Sequence, residues 1–287
     1  MTLENKKSVW ITGAGGLIGN YLVQTAKPFV SEWRVQSLTR ADLDLLDFAA
    51  VQKRFRQDAP QLVIHCAALS QSPACQKNPE LARKLNVEVT AMLAELAAAI
   101  PFFFISTDLV FDGRTGNYAE TDSVNPLSVY AETKVAAERI VLANPRHTII
   151  RTSLNGGVSP AGDRGFNEQL RLAFADGKKL NLFTDEFRNP IPARVTAQAV
   201  WELALQNRTG IYHVAGSEKL SRWEMGQLIA ARWPNLNPKP EATSLTTYQG
   251  APRSPDTTLN CAKAQSLLSF PLPGLTQWLA ERPGEIF

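Results

Sequence analysis

The sequence is short of the residues that build disulfide or metal frameworks. Only Cys66, Cys75 and Cys261 carry thiols; they are odd in number and none forms a C-x-x-C pair. Neither a disulfide scaffold nor a zinc site is expected, no metal is assigned, and a reducing cytoplasm is the default location. Charge of one sign is scarce too. The 30 Lys+Arg and 27 Asp+Glu leave a net charge of +3 with no basic run, which argues against nucleic acid and membrane surfaces as partners. No apolar stretch approaches the ~20 residues of a membrane span, and the polar segment Met1 to Lys7 gives no expectation of a signal peptide. There is no internal repeat and no low-complexity segment. What remains is an ordinary globular composition, 44% hydrophobic and 20% charged over 287 residues, long enough for a full core.

The first half alternates short β-rich runs with helix-compatible segments. Ser8-Val-Trp-Ile-Thr12 reads as a strand, followed by Gly13-Ala-Gly-Gly-Leu-Ile-Gly19 and a helix from Leu17 to about Ala26. Strand, glycine turn and helix is the arrangement that sets a pyrophosphate on a helix N-terminus. Gly13 permits the turn, Gly16 the close approach of backbone to phosphate, and Gly19 the packing of helix on strand; Leu17 and Ile18 open that helix. The spacing is G-x-x-G-x-x-G. Arg34 to Leu38 is a second strand ending at Thr39-Arg40. An arginine there accommodates a 2′-phosphate where an acidic residue would hold a ribose hydroxyl, so Arg40 favours NADP, with NAD as the other candidate. Leu43-Asp44-Leu45-Leu46-Asp47 follows as a short acidic turn with Asp44 and Leu45 as candidates to meet the adenine edge, and Asp47 reads equally as the N-cap of a helix over Phe48 to Gln57. Leu62 to Cys66 is a third strand, and after it Ala67 and Ala68 leave room for a cofactor beside Cys66. A helix from Glu80 to Ala99 carries Asn86. The apolar run Pro101 to Ile105 is a buried parallel strand, and Ser106-Thr107-Asp108 follow at its carboxyl end, where open α/β sheets place ligands. The whole predicts an α/β fold, a Rossmann-type doubly wound parallel sheet.

Tyr130 and Lys134 stand four residues apart in a helix-forming run and therefore on one helical face. Alone, such a pair is equally two solvated side chains. In company it reads differently. Gly13-x-x-Gly16-x-x-Gly19, the run Ile105-Ser-Thr-Asp-Leu-Val-Phe-Asp-Gly113, and Tyr130-x-x-x-Lys134 occur in the order of the extended short-chain dehydrogenases/reductases. More narrowly the chain resembles the dTDP-4-dehydrorhamnose reductase branch, with Glu120-Thr-Asp122, Asn125-Pro126, Ile150-Arg-Thr-Ser153, Gly210-Ile-Tyr-His-Val-Ala-Gly216 and Arg253.

That resemblance implies an NADPH-dependent reductase of a keto group on a sugar nucleotide. Tyr130 would be the proton donor. Lys134 would lower its pKa and hold the nicotinamide ribose, and Thr107, with Ser106 as the weaker candidate, would orient the carbonyl. Asp108, Thr107, Tyr130 and Arg253 would meet the substrate. Leu109, where related dehydratases carry a glutamate, disfavours dehydration. Two departures touch the substrate: Leu154 stands where a tryptophan is usual, and Pro73 and Gln76 where an aspartate and a glutamate are. A catalytically idle NADP-binding regulatory subunit and an epimerase are the alternatives, and a homodimer is the remaining partner considered.

Residues 1–152 are expected to bind NAD(P), and 153–287 to form a smaller substrate-binding region that partly rejoins the sheet. Within it, Gly156 to Gly165 holds four glycines and a proline and predicts a mobile segment over the cofactor. Phe166 to Asp176 and Thr196 to Gln206 read as helices, the first ending at Gly177. Ser221 and Glu224 form a capping box. Arg188 and Arg253 are candidates for a substrate phosphate, or else paired surface arginines. Trp223, Trp233 and Trp278 read as core or interface filling.

Overall fold

The computed structural model describes residues 6–250, 252–285 and 287. Strands β1 (Ser8–Thr12), β2 (Arg34–Leu38) and β3 (Leu62–His65) alternate with helices α1 (Leu17–Thr25) and α2 (Phe48–Asp58). Then come α3 (Ser72–Lys77), α4 (Pro79–Arg83), a π turn over Lys84–Glu88, α5 (Val89–Leu96), β4 (Phe102–Thr107), α6 (Val129–Leu142) and β5 (Thr148–Thr152). The chain continues through β6 (Asn155–Gly156), α7 (Phe166–Ala175), β7 (Leu180–Phe183), β8 (Phe187–Arg188), β9 (Ile191–Pro192), α8 (Ala193–Leu205) and β10 (Gly210–Val214). It ends in β11 (Leu220–Ser221), α9 (Arg222–Ala230), β12 (Pro240–Thr243), α10 (Ala262–Gln265) and α11 (Leu275–Glu281).

Six strands form one sheet in the order β10-β5-β4-β3-β1-β2, and every pairing within it is parallel. The order runs outward in both directions from β1 and β3, so the switch point lies between their carboxyl ends. Alternation explains why these strands read as unbroken apolar runs. Val9, Ile11, Ile64, Phe103, Ile105 and Ile150 face one layer, with Leu22 of α1 and Trp201 of α8. Trp10, Val63, Phe102, Phe104 and Ile149 face the other, with Leu93 of α5 and Val141 of α6. Both faces are covered. No helix among the described residues is long and apolar enough to cross a membrane.

Three differences from the sequence reading have local causes. Strand β4 runs two residues further, because Ser106 and Thr107 pair with Arg151 and Thr152. The helix expected over Glu80 to Ala99 is interrupted by the π turn, which holds Asn86. The Asn86 amide grips both backbone groups of Leu69 (2.8 and 3.1 Å) and donates to Thr133 of α6 at 2.9 Å. Finally, Gly156 to Gly165 is bound down rather than mobile. The carboxylate of buried Glu168 accepts from Ser159 N and Oγ, Arg164 N and Gly165 N at 2.7–2.9 Å. Val158 N donates to the Tyr21 hydroxyl of α1 at 3.1 Å. Glycine content signals freedom only where nothing takes up the backbone donors.

Candidate active site

The glycine turn is built by contact as much as by conformation. Gly13 has φ +69°, and a Cβ there would lie 2.6 Å from Ala67 N; the turn thus closes onto the carboxyl end of β3. A Cβ on Gly19 would lie 2.3 Å from Gly13 O, so Gly19 lets α1 approach the turn itself. Gly16 donates to Gly13 O at 2.9 Å and is the N-cap of α1, without any side-chain cap. The first-turn N–H groups of Leu17, Ile18 and Gly19 are therefore left for an anion. Those features fit a dinucleotide pyrophosphate. Arg40 is exposed at the end of β2, with no carboxylate partner among the described residues. Asp44 is exposed and accepts from Leu46 N at 3.0 Å, while Leu45 packs on the core. Cys66 and Ala67 are half-buried and Ala68 exposed at the end of β3. Burial raises the Cys66 thiol to about 12, against the pull of Lys134. The thiol therefore stays protonated.

Behind the turn lies a residue that sequence reasoning passed over. His65 is fully buried, with Nδ1 2.6 Å from Thr12 Oγ1 and Nε2 3.1 Å from Thr90 Oγ1. Thr90 Oγ1 already donates to Asn86 O at 2.7 Å, so Nε2 carries the proton and Nδ1 accepts. Burial, seconded by Lys134, takes the imidazole down to about 3. A polar residue within the apolar run Leu62 to Cys66 was the available signal.

Tyr130 and Lys134 lie on α6, whose N-terminus is capped by Ser128 Oγ accepting from Ala131 N. Thr133 Oγ1, bound to Asn86, donates to Tyr130 O at 2.7 Å. The helix start is thereby tied to the loop after β3. Thr107 and Tyr130 are 8% and 9% exposed, and the Thr107 hydroxyl, which donates to Asp108 at 3.1 Å, lies near enough to the phenol to act on its pKa. Ser106 points elsewhere, its Oγ donating to Glu138 at 2.5 Å. Of the two hydroxyls, Thr107 is the one at the tyrosine. Leu109 and Cys75 pack against the same ring.

Lys134 departs from the expected partnership with the phenol. Its Nζ donates to Ile105 O at 2.7 Å and rests 3.8 Å from the Phe104 ring centroid. Burial lowers its pKa to about 7, opposed by Glu138 and Cys66. Burial likewise drives the Tyr130 phenol well above 10, helped by the Asp108 charge, and only Thr107 pulls it back. In this arrangement the phenol is a neutral donor, and desolvation outweighs any help from the lysine.

Asp108, expected at the substrate, has its carboxylate taken up within the protein. It accepts from Thr107 Oγ1 (3.1 Å), Ser153 Oγ (2.8 Å) and Thr257 Oγ1 (2.9 Å), with Arg188 Nε 3.6 Å away. It joins β4 and β5 to the later part of the chain. Arg253 is one-third exposed and chelates Glu186 at 2.8 and 3.0 Å. Glu186 also meets Arg188 (2.9 Å) and Arg222 (3.3 Å). Burial would raise this carboxyl, but Arg222, Arg253 and Arg188 bring it to about 2. Buried Glu186 thus meets all three guanidiniums, of which Arg188 also faces Asp108, and among the described residues Arg222 Nη1 has no hydrogen-bond partner. The Phe-Asp-Gly run serves this end of the site: a Cβ on Gly113, φ +81°, would lie 2.7 Å from Asp256 N, so the glycine lets the segment after Arg253 lie against the loop that follows β4. Leu154 joins the apolar cluster around Trp278 and Phe287, and Pro73 is an exposed residue in the first turn of α3.

A family model described as RmlD substrate binding domain matches residues 7–282. A dTDP-4-dehydrorhamnose reductase of Sinorhizobium fredii is 30% identical, over 92% of this chain and 92% of its own length. Methionine adenosyltransferase 2 subunit beta of Xenopus laevis is also 30% identical, over 93% of this chain and 84% of its own. The crystal structure of dTDP-4-dehydrorhamnose reductase from Bacillus anthracis in complex with NADP superposes with a TM-score of 0.86 at 23% identity, covering 96% of this chain and 98% of that one. It has the same fold.

Proposed function

We propose, on the premise that the chain belongs to the RmlD substrate binding domain family, that it is an NADPH-dependent reductase of a keto group on a sugar nucleotide. The observation that carries this reading is the burial of Thr107, at the carboxyl end of β4, close to Tyr130 on α6, with Lys134 one turn on tied to the same strand, beside the switch point that holds the glycine turn. Support also comes from the Sinorhizobium fredii relative, which is a dTDP-4-dehydrorhamnose reductase, and from NADP in the Bacillus anthracis structure.

In this reading Gly13, Gly16 and the α1 N-terminus, with Leu17, Ile18 and Gly19, hold the pyrophosphate. Cys66, Ala67 and Ala68 line the way to the nicotinamide, and Lys134 meets the ribose. NADPH supplies the hydride. Thr107 swings its hydroxyl from Asp108 to the substrate carbonyl, and Tyr130 gives its proton to the developing alkoxide. Arg253 is the member of the guanidinium cluster exposed enough to meet a substrate phosphate. Residues 153–287 supply most of the substrate side. The test is NADPH oxidation by the purified protein offered dTDP-4-keto sugars. Saturable turnover is expected; none on any of them would reject the reading.

Arg40 carries the cofactor preference. Arg40→Ala is expected to weaken NADPH binding about tenfold, the worth of a charged hydrogen bond, and to leave NADH unchanged in calorimetric titration. An unchanged preference would make Arg40 a surface residue only.

A second reading, an NADP-binding subunit of another enzyme, is favoured by the similarity to methionine adenosyltransferase 2 subunit beta. Retention of Thr107 against Tyr130 argues for turnover, because a binding module has no use for a positioned acid. Stable co-purification with a partner enzyme and no turnover would favour the subunit.

A further inference from the structure

The face of α6 that presents Tyr130 and Lys134 continues to a third residue, Glu138, at the same helical spacing. All three reach one stretch of β4. Lys134 Nζ meets Ile105 O at 2.7 Å and Glu138 Oε1 meets Ser106 Oγ at 2.5 Å, while the Tyr130 phenol lies near Thr107. Glu138 is 3% exposed and is chelated by Arg151 of β5, with Nη2 at 2.7 Å and Nε at 3.0 Å. On its far side Arg151 lies 3.5 Å from His213 Nε2 of β10 and 5.1 Å from the Phe111 ring. His213 is kept neutral by burial, with Arg151 adding to the effect, so the pair stands as one anion and one cation.

A buried pair of this kind is a poor means of stabilisation, because an apolar pair of equal volume does as well or better. Its use is register. We propose that Glu138 is a positioning residue for the reaction: gripped by Arg151 and Ser106, it fixes the slide of α6 along β4 that brings Tyr130 to Thr107, and it sets a negative charge one turn from Lys134. The groups facing Lys134 are Glu138 on its own helix, His65 at the end of β3 and Cys66 just after it, the last two neutral. Glu138 is then the anion, one helical turn away, that opposes the effect of burial on Lys134 in a dry site. Without it, burial would discharge the lysine at lower pH.

The inference rests on the reductase reading for its kinetic half and stands apart from it in its titration half. The Cε resonance of Lys134, assigned by its loss in Lys134→Arg, is followed against pH by carbon-13 NMR. Glu138→Gln is expected to move the midpoint down by about one pH unit, the effect of losing a close opposite charge. An unmoved midpoint in folded Glu138→Gln overturns the electrostatic role, whether or not the protein reduces any sugar. Ser106→Ala keeps both charges and removes one tether. It is expected to lower kcat roughly fivefold, as loss of one buried hydrogen bond would, with KM for NADPH unchanged and the Lys134 midpoint in place. Wild-type kcat in Ser106→Ala overturns the clamp, and this variant decides the matter even if Glu138→Gln does not fold.

Discussion

Tyr130→Phe is expected to lower kcat/KM for the keto sugar by about 10²- to 10⁴-fold, the range for removal of a positioned general acid. It deletes one hydroxyl from a ring that stays packed on Cys75, Leu109 and Val129, and Thr107 keeps its partner Asp108. The melting temperature and the NADPH dissociation constant should therefore stay near those of the wild type. The pH profile adds a check. Because burial holds the phenol above its ordinary 10, reduction should show no alkaline loss from phenol ionisation at or below that pH. A wild-type rate in Tyr130→Phe would remove the tyrosine from the chemistry and leave Thr107 without a proton source beside it.

Glu186→Gln should be the most destabilising single change near the site. It leaves Arg188, Arg222 and Arg253 facing one another around a neutral amide, with only the 3.6 Å contact of Arg188 to Asp108 remaining, and with Arg188 and Arg222 largely buried. Breaking a buried ion cluster in this way costs about 3–5 kcal/mol, or a melting-point loss of roughly 10 °C for a chain of this size. The pH dependence has a definite sign. The folded carboxyl titrates at about 2 against an ordinary 4.5, so its contribution is complete above 4.5 and is lost as the pH falls toward 2. That contribution is on the order of 3 kcal/mol. Wild type and variant should differ most near neutrality and converge in acid. A gap in melting temperature that stays constant from neutral pH into that acid range would mean the cluster does not depend on the Glu186 charge. NADPH binding should be spared, since the glycine turn shares no residue with the cluster.

Periodicity and turn chemistry made most of the sheet legible before the fold was known. The apolar runs at Ser8, Leu62 and Pro101 read as buried parallel strands because both sheet faces are covered, and the uncapped glycine turn announced a helix N-terminus open to an anion. Asp47 and Ser221 showed their caps in the same way. Contacts between distant segments were what the sequence hid. Ser106 and Thr107 are neighbours of like chemistry, and only Glu138, 32 residues on from Ser106, separates their fates. Asp108 looked like a ligand group at a strand end until Ser153, Thr257 and Arg188 arrived to occupy it. The glycines of Gly156 to Gly165 suggested freedom, yet Glu168 binds four of that segment's donors. Lys134 was readable as a partner by spacing, but the depth of its burial, and hence its hold on Ile105 O, belongs to the packing of α6 on β4.

Deuteride transfer tests the central claim most directly. Wild-type protein is given NADPH labelled at C4 of the nicotinamide, on each face in turn, together with a dTDP-4-keto sugar, and the product is examined by mass spectrometry and NMR. One labelled face should deliver deuterium to the former keto carbon, one equivalent for each NADPH consumed. Conversion of the sugar without net NADPH consumption would identify an epimerase, and no conversion under saturating cofactor would leave a binding subunit; either would contradict the reductase account.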